Sequence, residues 1–250
     1  MKKLSFLTAI ICLTAFTFPE KKKIKVWLIG DSTMSVKDPK AYPETGWGMP
    51  FAYFWDSTVT VDNRAKNGRS SKSFIAENLW QPVVDELQEN DYVFIQFGHN
   101  DESKDKGDRY STPDEFKANL KKYVSETRAK KAIPILITPV ARRKFDANGK
   151  IVDTHAEYAE LVKEVAAENS VTIIDLNERS KAWLQQIGPD ASKYYFNYLT
   201  PGEHPNYPEG KQDDTHFNEL GARKIAELML TEIKTVHLEL VERIVIRTPK

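Results

Sequence analysis

The sequence predicts an α/β fold in which a five-stranded parallel sheet is covered by helices on both faces. Two observations carry this. Five short apolar runs, at residues 24–29, 58–61, 92–97, 133–138 and 171–176, have the length of buried strands. Longer segments with helical periodicity separate them, and strands alternating with helices assemble into parallel sheets through crossover connections. The 250-residue length fits one such unit. No repeat, low-complexity tract or linker divides it, so residues 21–250 read as a single domain.

The first twenty residues read differently. Lys2 and Lys3 precede fifteen uncharged residues, 4–18, and Glu20, Lys21, Lys22 and Lys23 close the run. A charged start followed by a short apolar stretch is the pattern of a secretory signal peptide. The stretch is shorter than the ~20 apolar residues of a spanning helix. Residues 1–20 are therefore expected to be an export signal of bacterial type, sending the protein to a periplasm or out of the cell; an uncleaved anchor or a buried first helix is the alternative. Cys12, the single cysteine, lies inside the run behind Ile11, which is too bulky for a typical lipoprotein cleavage site. The remainder uses neither disulfides nor thiolate chemistry.

The other elements follow in order. The strand at 24–29 leads into Gly30, Asp31, Ser32 and Thr33, and the strand at 58–61 into a polar segment containing Gly68. A helix is expected over residues 74–87. The strand at 92–97 runs into Gly98, His99, Asn100 and Asp101, and a helix over Pro113–Ala129 follows. The strand at 133–138 leads to Arg142, Arg143 and Lys144. In the helix expected over 153–168, Tyr158, Leu161, Val162 and Val165 form one apolar face. After the strand at 171–176, an aromatic- and proline-rich segment, 193–210, precedes Asp213, Asp214, Thr215 and His216. A last helix is expected over 218–234. In the tail Val236, Leu238 and Leu240 alternate with polar residues, as an extra strand or a frayed helix would.

Composition narrows the function. With 40% hydrophobic and 29% charged residues the chain is neither disordered nor a polytopic membrane protein. Its 36 basic and 36 acidic residues balance, which leaves no electrostatic footprint for nucleic acid.

In such sheets ligands bind beyond the carboxyl ends of the strands, where the polar segments stand. Ser32, at a strand-to-helix turn, is a candidate nucleophile. Of five histidines, His155 heads a helix, where an exposed or capping role is expected; His204 and His237 lie in a proline-rich loop and the tail. His216 stands three residues after Asp213, a spacing at which one short turn brings a carboxylate to an imidazole and fixes its tautomer. The N–H groups of Ser32 and Gly68 and the side-chain amide of Asn100 are candidate oxyanion donors, and Gly68 without a Cβ permits close approach. Taken singly these motifs have plainer readings: Gly-Asp-Ser as a turn, Asp213 or Asp214 as the cap of the last helix. Asp213, Asp214 and His216 with His204 or His99 also form a candidate metal set, as in a phosphodiesterase or a sugar-binding module. The elbow G-x-S-x-G is absent, which disfavours the α/β-hydrolase fold.

Together the four blocks resemble the SGNH (GDSL-type) hydrolases: Ser32 in Gly-Asp-Ser, Gly68, Asn100 in Gly-His-Asn-Asp, and His216 in Asp-Asp-Thr-His. Over residues 29–34, 46–48, 63–71, 97–101 and 138–143 the chain is more narrowly similar to the rhamnogalacturonan acetylesterases within that superfamily. The resemblance spans about residues 24–234. It implies a flavodoxin-like three-layer α/β/α sandwich that removes acetyl groups from pectic rhamnogalacturonan with no metal or other cofactor. Carried over, Ser32 is the nucleophile, Asp213 and His216 complete a triad, and Ser32, Gly68 and Asn100 supply the oxyanion donors.

Substrate contacts are sought nearby. Aromatic rings of the 193–210 segment, Tyr198 among them, suit a sugar face, or pack on one another. Arg142, Arg143 and Lys144 either meet a galacturonate carboxylate or form a solvated loop. Trp47 lines the cleft or anchors the helix after it, and His99 is a further candidate contact. The expected partner is an acetylated pectic oligo- or polysaccharide, with no nucleic acid and no membrane partner once the signal is removed. Acetylated xylan, acyl lipids and thioesters are the competing substrates.

Overall fold

Five parallel strands stand on the five apolar runs, in a computed structural model that describes residues 21–245. The expected signal, residues 1–20, lies outside the described residues. In chain order the elements are β1 (Ile24–Gly30), α1 (Gly48–Phe51), β2 (Val59–Asn63), α2 (Ser71–Ala76), α3 (Gln81–Glu86), β3 (Tyr92–Gln96) and α4 (Pro113–Ala129). Then come β4 (Ile133–Ile137), α5 (Ala156–Glu168), β5 (Thr172–Ile174), α6 (Leu176–Ala191), β6 (Phe196–Leu199), β7 (Lys211–Phe217) and α7 (Glu219–Thr235). The sheet order is β2-β1-β3-β4-β5, all parallel, which is the flavodoxin-like winding.

The pleat separates two cores. Val26, Leu28, Phe94, Ile135 and Ile137 face one side and pack against buried residues of α1, α6 and α7. Trp27, Ile29, Val93, Ile95 and Leu136 face the other and pack against α2, α3, α4 and α5. Strands buried on both faces must be apolar at every position, which is why these runs were legible without alternation. The three layers expected of the fold are therefore present.

Five segments differ from the sequence expectation. The helix expected over 74–87 is two: Asn78 adopts φ +56° between them, and Pro82 in the first turn of α3 has no N–H to continue a helix from α2. The fifth strand is shorter, because Asp175 caps α6 by accepting from the Glu178 N–H at 3.2 Å. That helix was not expected, nor was the antiparallel pair β6–β7. The tail is neither strand nor frayed α-helix. It makes a 3-10 turn over Glu239–Arg243 that buries Leu240, and Ile244 then bridges to Trp55.

Candidate active site

The strand order reverses between β1 and β3, and the loops leaving their carboxyl ends diverge into a crevice there. A Cβ on Gly30 would lie 2.5 Å from the Gln96 carbonyl oxygen, so the close approach of these strands requires glycine. Asp31 then pins the turn. Its Oδ1 accepts the Thr33 N–H at 2.9 Å and the Thr33 hydroxyl at 2.8 Å. Burial raises the Asp31 carboxyl above its ordinary value, against those hydrogen bonds.

Ser32 is presented at this turn with its Oγ 2.9 Å from His216 Nε2. On the other side of the ring, His216 Nδ1 lies 2.9 Å from Asp213 Oδ2. The second Asp213 oxygen accepts the N–H groups of Thr215 at 2.8 Å and His216 at 3.0 Å, forming the short turn that the spacing implied, although it sits within β7. Burial alone would raise the Asp213 carboxyl. The hydrogen bond and charge of His216 and the two backbone N–H groups outweigh it and hold the group well below the usual carboxylate range. An ionised Asp213 only accepts, so Nδ1 carries the proton and Nε2 offers its lone pair to the Ser32 hydroxyl.

Gly68 and Asn100 close the other wall of a cleft of about 380 Å³ that also contains Ser32 and His216. Gly68 sits at φ +73°, a conformation that favours glycine. The Asn100 amide donates one N–H to the Arg69 carbonyl at 2.9 Å, and its Oδ1 accepts Lys106 Nζ at 2.6 Å. The amide plane is thereby fixed and the second N–H remains for a ligand. Asn100→Ala is expected to lower kcat on an aryl acetate by about 10²–10³-fold, the usual cost of one lost oxyanion donor; steady-state kinetics on the purified variant would check it.

Beneath this wall Asp101 accepts from the Gly98 N–H, the Ser71 N–H and the hydroxyls of Ser71 and Ser111, at 2.5–3.1 Å. Burial, opposed by those hydrogen bonds, pushes its carboxyl up to about 7. Lys37 is the other support. Its buried ammonium donates to the Ser32 carbonyl at 2.5 Å and to Asn67 Oδ1 at 2.8 Å, and pairs with Glu44 at 2.7 Å. It joins the serine turn to the glycine loop. Sequence reasoning missed Lys37, Asn67 and Glu44, because a lysine among Asp38 and Lys40 carries no signal that it is buried.

Residues 28–224 match the GDSL-like lipase/acylhydrolase family. The chain belongs to that family. It is 40% identical to the rhamnogalacturonan acetylesterase RhgT of Bacillus subtilis (strain 168) over 92% of this chain and 98% of the relative. The crystal structure of the YxiM protein of Bacillus subtilis superposes with a TM-score of 0.74 at 25% identity, covering 88% of this chain and 58% of that one. The acetylxylan esterase Axe2 of Geobacillus stearothermophilus, 19% identical over 90% of this chain and 97% of its own, shares the fold with a TM-score of 0.59. A GDSL-like acylhydrolase is a serine-dependent carboxylic ester hydrolase.

In this GDSL-like acylhydrolase the remaining candidate residues divide. His99 and Arg142 line the cleft. The His99 ring is buried 4.2 Å from that of His155, and neither of its nitrogens finds a partner among the described residues. Burial, with the neighbouring His155 and Arg142 adding to it, holds its pKa well below the ordinary value, so it is neutral. Arg142 is paired to Glu102 at 2.9 Å. His155 corrects the sequence reading in part: it stands at the N-cap of α5, but its side chain makes no cap hydrogen bond and is buried, with Nδ1 2.9 Å from the second Glu102 oxygen.

Arg143 is also a correction. Its side chain is 10% exposed, and the guanidinium is engaged by Asp214 Oδ1 at 2.6 Å, Ser192 Oγ at 2.9 Å, the Tyr198 hydroxyl at 3.2 Å and the Pro189 carbonyl. It clamps the β6–β7 pair to the domain and has no donor set left for a substrate. Trp47 is wholly buried, donates Nε1 to Gln96 Oε1 at 2.7 Å and meets Phe51 edge-on; it anchors α1. Tyr198 gives its hydroxyl to Asp214 and lines a separate groove along β6.

The metal set suggested by sequence is not assembled. Asp214 turns to Arg143, and His204 lies in the loop with Tyr207. Among the described residues only Glu44, Asp213 and His216 gather donor atoms within 4.8 Å of one another. Asp213 and His216 are committed to each other, and the Lys37 ammonium already holds Glu44. The donors of all three are thus engaged within the protein.

Proposed function

We propose that this acylhydrolase removes acetyl groups from pectic rhamnogalacturonan. The observation that carries the reading is the unbroken relay from Ser32 Oγ through His216 to Asp213, at 2.9 Å and 2.9 Å, facing Gly68 and Asn100 across one cleft. The substrate class rests on the 40% identity to RhgT along nearly its whole length.

Ser32 Oγ attacks the acetyl carbonyl while His216 Nε2 takes its proton. The N–H groups of Ser32 and Gly68 and the Asn100 amide receive the oxyanion, and Asp213 stabilises the imidazolium. The tetrahedral intermediate collapses as His216 returns the proton to the departing sugar oxygen, leaving acetyl-Ser32. Water attacks this ester, giving its proton to His216, and the second collapse releases acetate and restores the Ser32 hydroxyl. The leader-like pattern of residues 2–20 supports export, and an exported esterase would meet polymeric substrate directly.

Acetate release from acetylated rhamnogalacturonan, beside acetylated xylan and an aryl acetate, tests the assignment. The pectic polymer is expected to be deacetylated with a kcat/KM at least about tenfold above xylan, a preference of roughly 1.4 kcal/mol. Equal rates, or turnover of the aryl ester alone, would remove the pectin assignment and leave the acyl-enzyme chemistry standing.

A further inference from the structure

The walls of the Ser32 cleft carry positive charge that the surrounding protein does not neutralise. Glu44 and Arg142 line the cleft, but Glu44 is paired to Lys37 and Arg142 to Glu102. Lys106 and Arg109 are different. Both belong to the short 3-10 segment Lys104–Arg109 that follows β3, and both line the cleft. Lys106 Nζ bonds a neutral oxygen, Asn100 Oδ1, at 2.6 Å. Neither side chain has a carboxylate within 4.0 Å among the described residues. Arg109 Nη1 lies 3.0 Å from the point a Cβ would occupy on Gly68, so the guanidinium overhangs the glycine loop, and among the described residues no acceptor engages it.

Three cations around one cleft repel one another. The Lys106 ammonium is pulled below its ordinary pKa chiefly by burial; Arg142 and Arg109 add to this, and the charges of Asp105 and Asp31 only partly offset it. Acetyl transfer does not ask for these charges. The ester is neutral, and the oxyanion is served by the N–H groups of Ser32 and Gly68 and by Asn100. An anion carried elsewhere on the substrate does ask for them, and in an acidic pectic chain that anion is a carboxylate. A guanidinium fork beside an ammonium suits a carboxylate's two oxygens.

Building on the function proposed above, we propose that Arg109 and Lys106 form a uronate subsite on the Gly68 side of the acetyl group and select acidic over neutral acetylated glycans. The sequence pointed to Arg142, Arg143 and Lys144 for this task. The first two are committed to protein carboxylates, while Arg109 is not.

The test reads inhibition of aryl acetate turnover by two ligands: rhamnogalacturonan fragments stripped of acetyl groups, and the same fragments with their carboxylates reduced to alcohols. The wild-type enzyme is expected to bind the acidic fragments about tenfold more tightly, as for one charge-assisted contact at a solvent-open site. In Arg109→Gln and in Lys106→Met that preference is expected to fall to about threefold or less. Equal inhibition of the wild type by both fragments, or none by either, overturns the subsite. So does a preference that survives in the Arg109→Gln, Lys106→Met double variant. Should Arg109→Gln depress aryl acetate kcat and keep the preference, the guanidinium serves the oxyanion and the proposal fails. The readout does not depend on polymer turnover. An intact preference without acetate release from the polymer strikes the function proposed above and spares the subsite; polymer release without a preference does the reverse.

Discussion

Ser32→Ala is expected to lower acetate release by about 10⁴–10⁶-fold on every ester, with the melting temperature unchanged. The size follows from the loss of the attacking atom: among the described residues no other hydroxyl bonds His216 Nε2. The fold is spared because the turn is held by groups other than Oγ. Asp31 grips Thr33, Lys66 N–H donates to the Gly30 carbonyl at 3.0 Å, and Lys37 holds the Ser32 carbonyl. Assays with an aryl acetate and the acetylated polymer, beside thermal melts, would show it. A folded Ser32→Ala protein retaining about a hundredth of the activity would exclude Ser32 as nucleophile.

Asp213→Asn is expected to cost about 10⁴ in kcat, although it changes the side chain's shape hardly at all. The oxygen that accepts the Thr215 and His216 N–H groups can remain. The amide nitrogen then faces Nδ1 and donates to it, which moves the ring proton to Nε2, where it blocks transfer from Ser32. The variant also reads out stability. A carboxyl whose pKa is depressed on folding contributes stability above its unfolded value of about 3.9, and that contribution fades as pH falls toward the folded value. The stability difference between the native protein and Asp213→Asn is therefore expected to be constant above about pH 5 and to narrow toward pH 3, measured by urea unfolding.

What could be read from the sequence was what burial writes into it. Strands covered on both faces are almost wholly apolar, so β1, β3 and β4 stood out, the partly buried edge strands β2 and β5 kept shorter apolar runs, and the loops after β1 and β3 offered Ser32 and Asn100 directly. The β6–β7 pair did not stand out, because Lys211, Gln212, Asp213, Asp214, Thr215 and His216 make a polar strand with no hydrophobic alternation. α6 was hidden by its place directly behind β5, with Gly188 at φ +78° and Pro189 interrupting its end. Charged side chains were the least legible. Arg143, Arg142 and Arg109 look alike in sequence, and only their neighbours separate a clamp from a paired wall residue and an unspent cation. His155 and Lys37 were misjudged or missed for the same reason: burial of a polar group depends on partners far along the chain, here Glu102 for His155 and Asn67 for Lys37.

The proposed nucleophile and its base stand on different sheets. Ser32 is rooted in the central parallel sheet, whereas Asp213 and His216 ride on a two-stranded ribbon fastened by the Arg143 clamp and by the Thr45 N–H to the Phe217 carbonyl at 2.8 Å. Ribbons of two strands have little stability of their own, and proteins open piecewise, weakest unit first. Beyond those two ties the ribbon is held by Phe196 and Phe217, which are buried in the core. Warming is expected to part the relay before the central sheet melts, so that activity followed against temperature is lost, reversibly, below the melting of the domain.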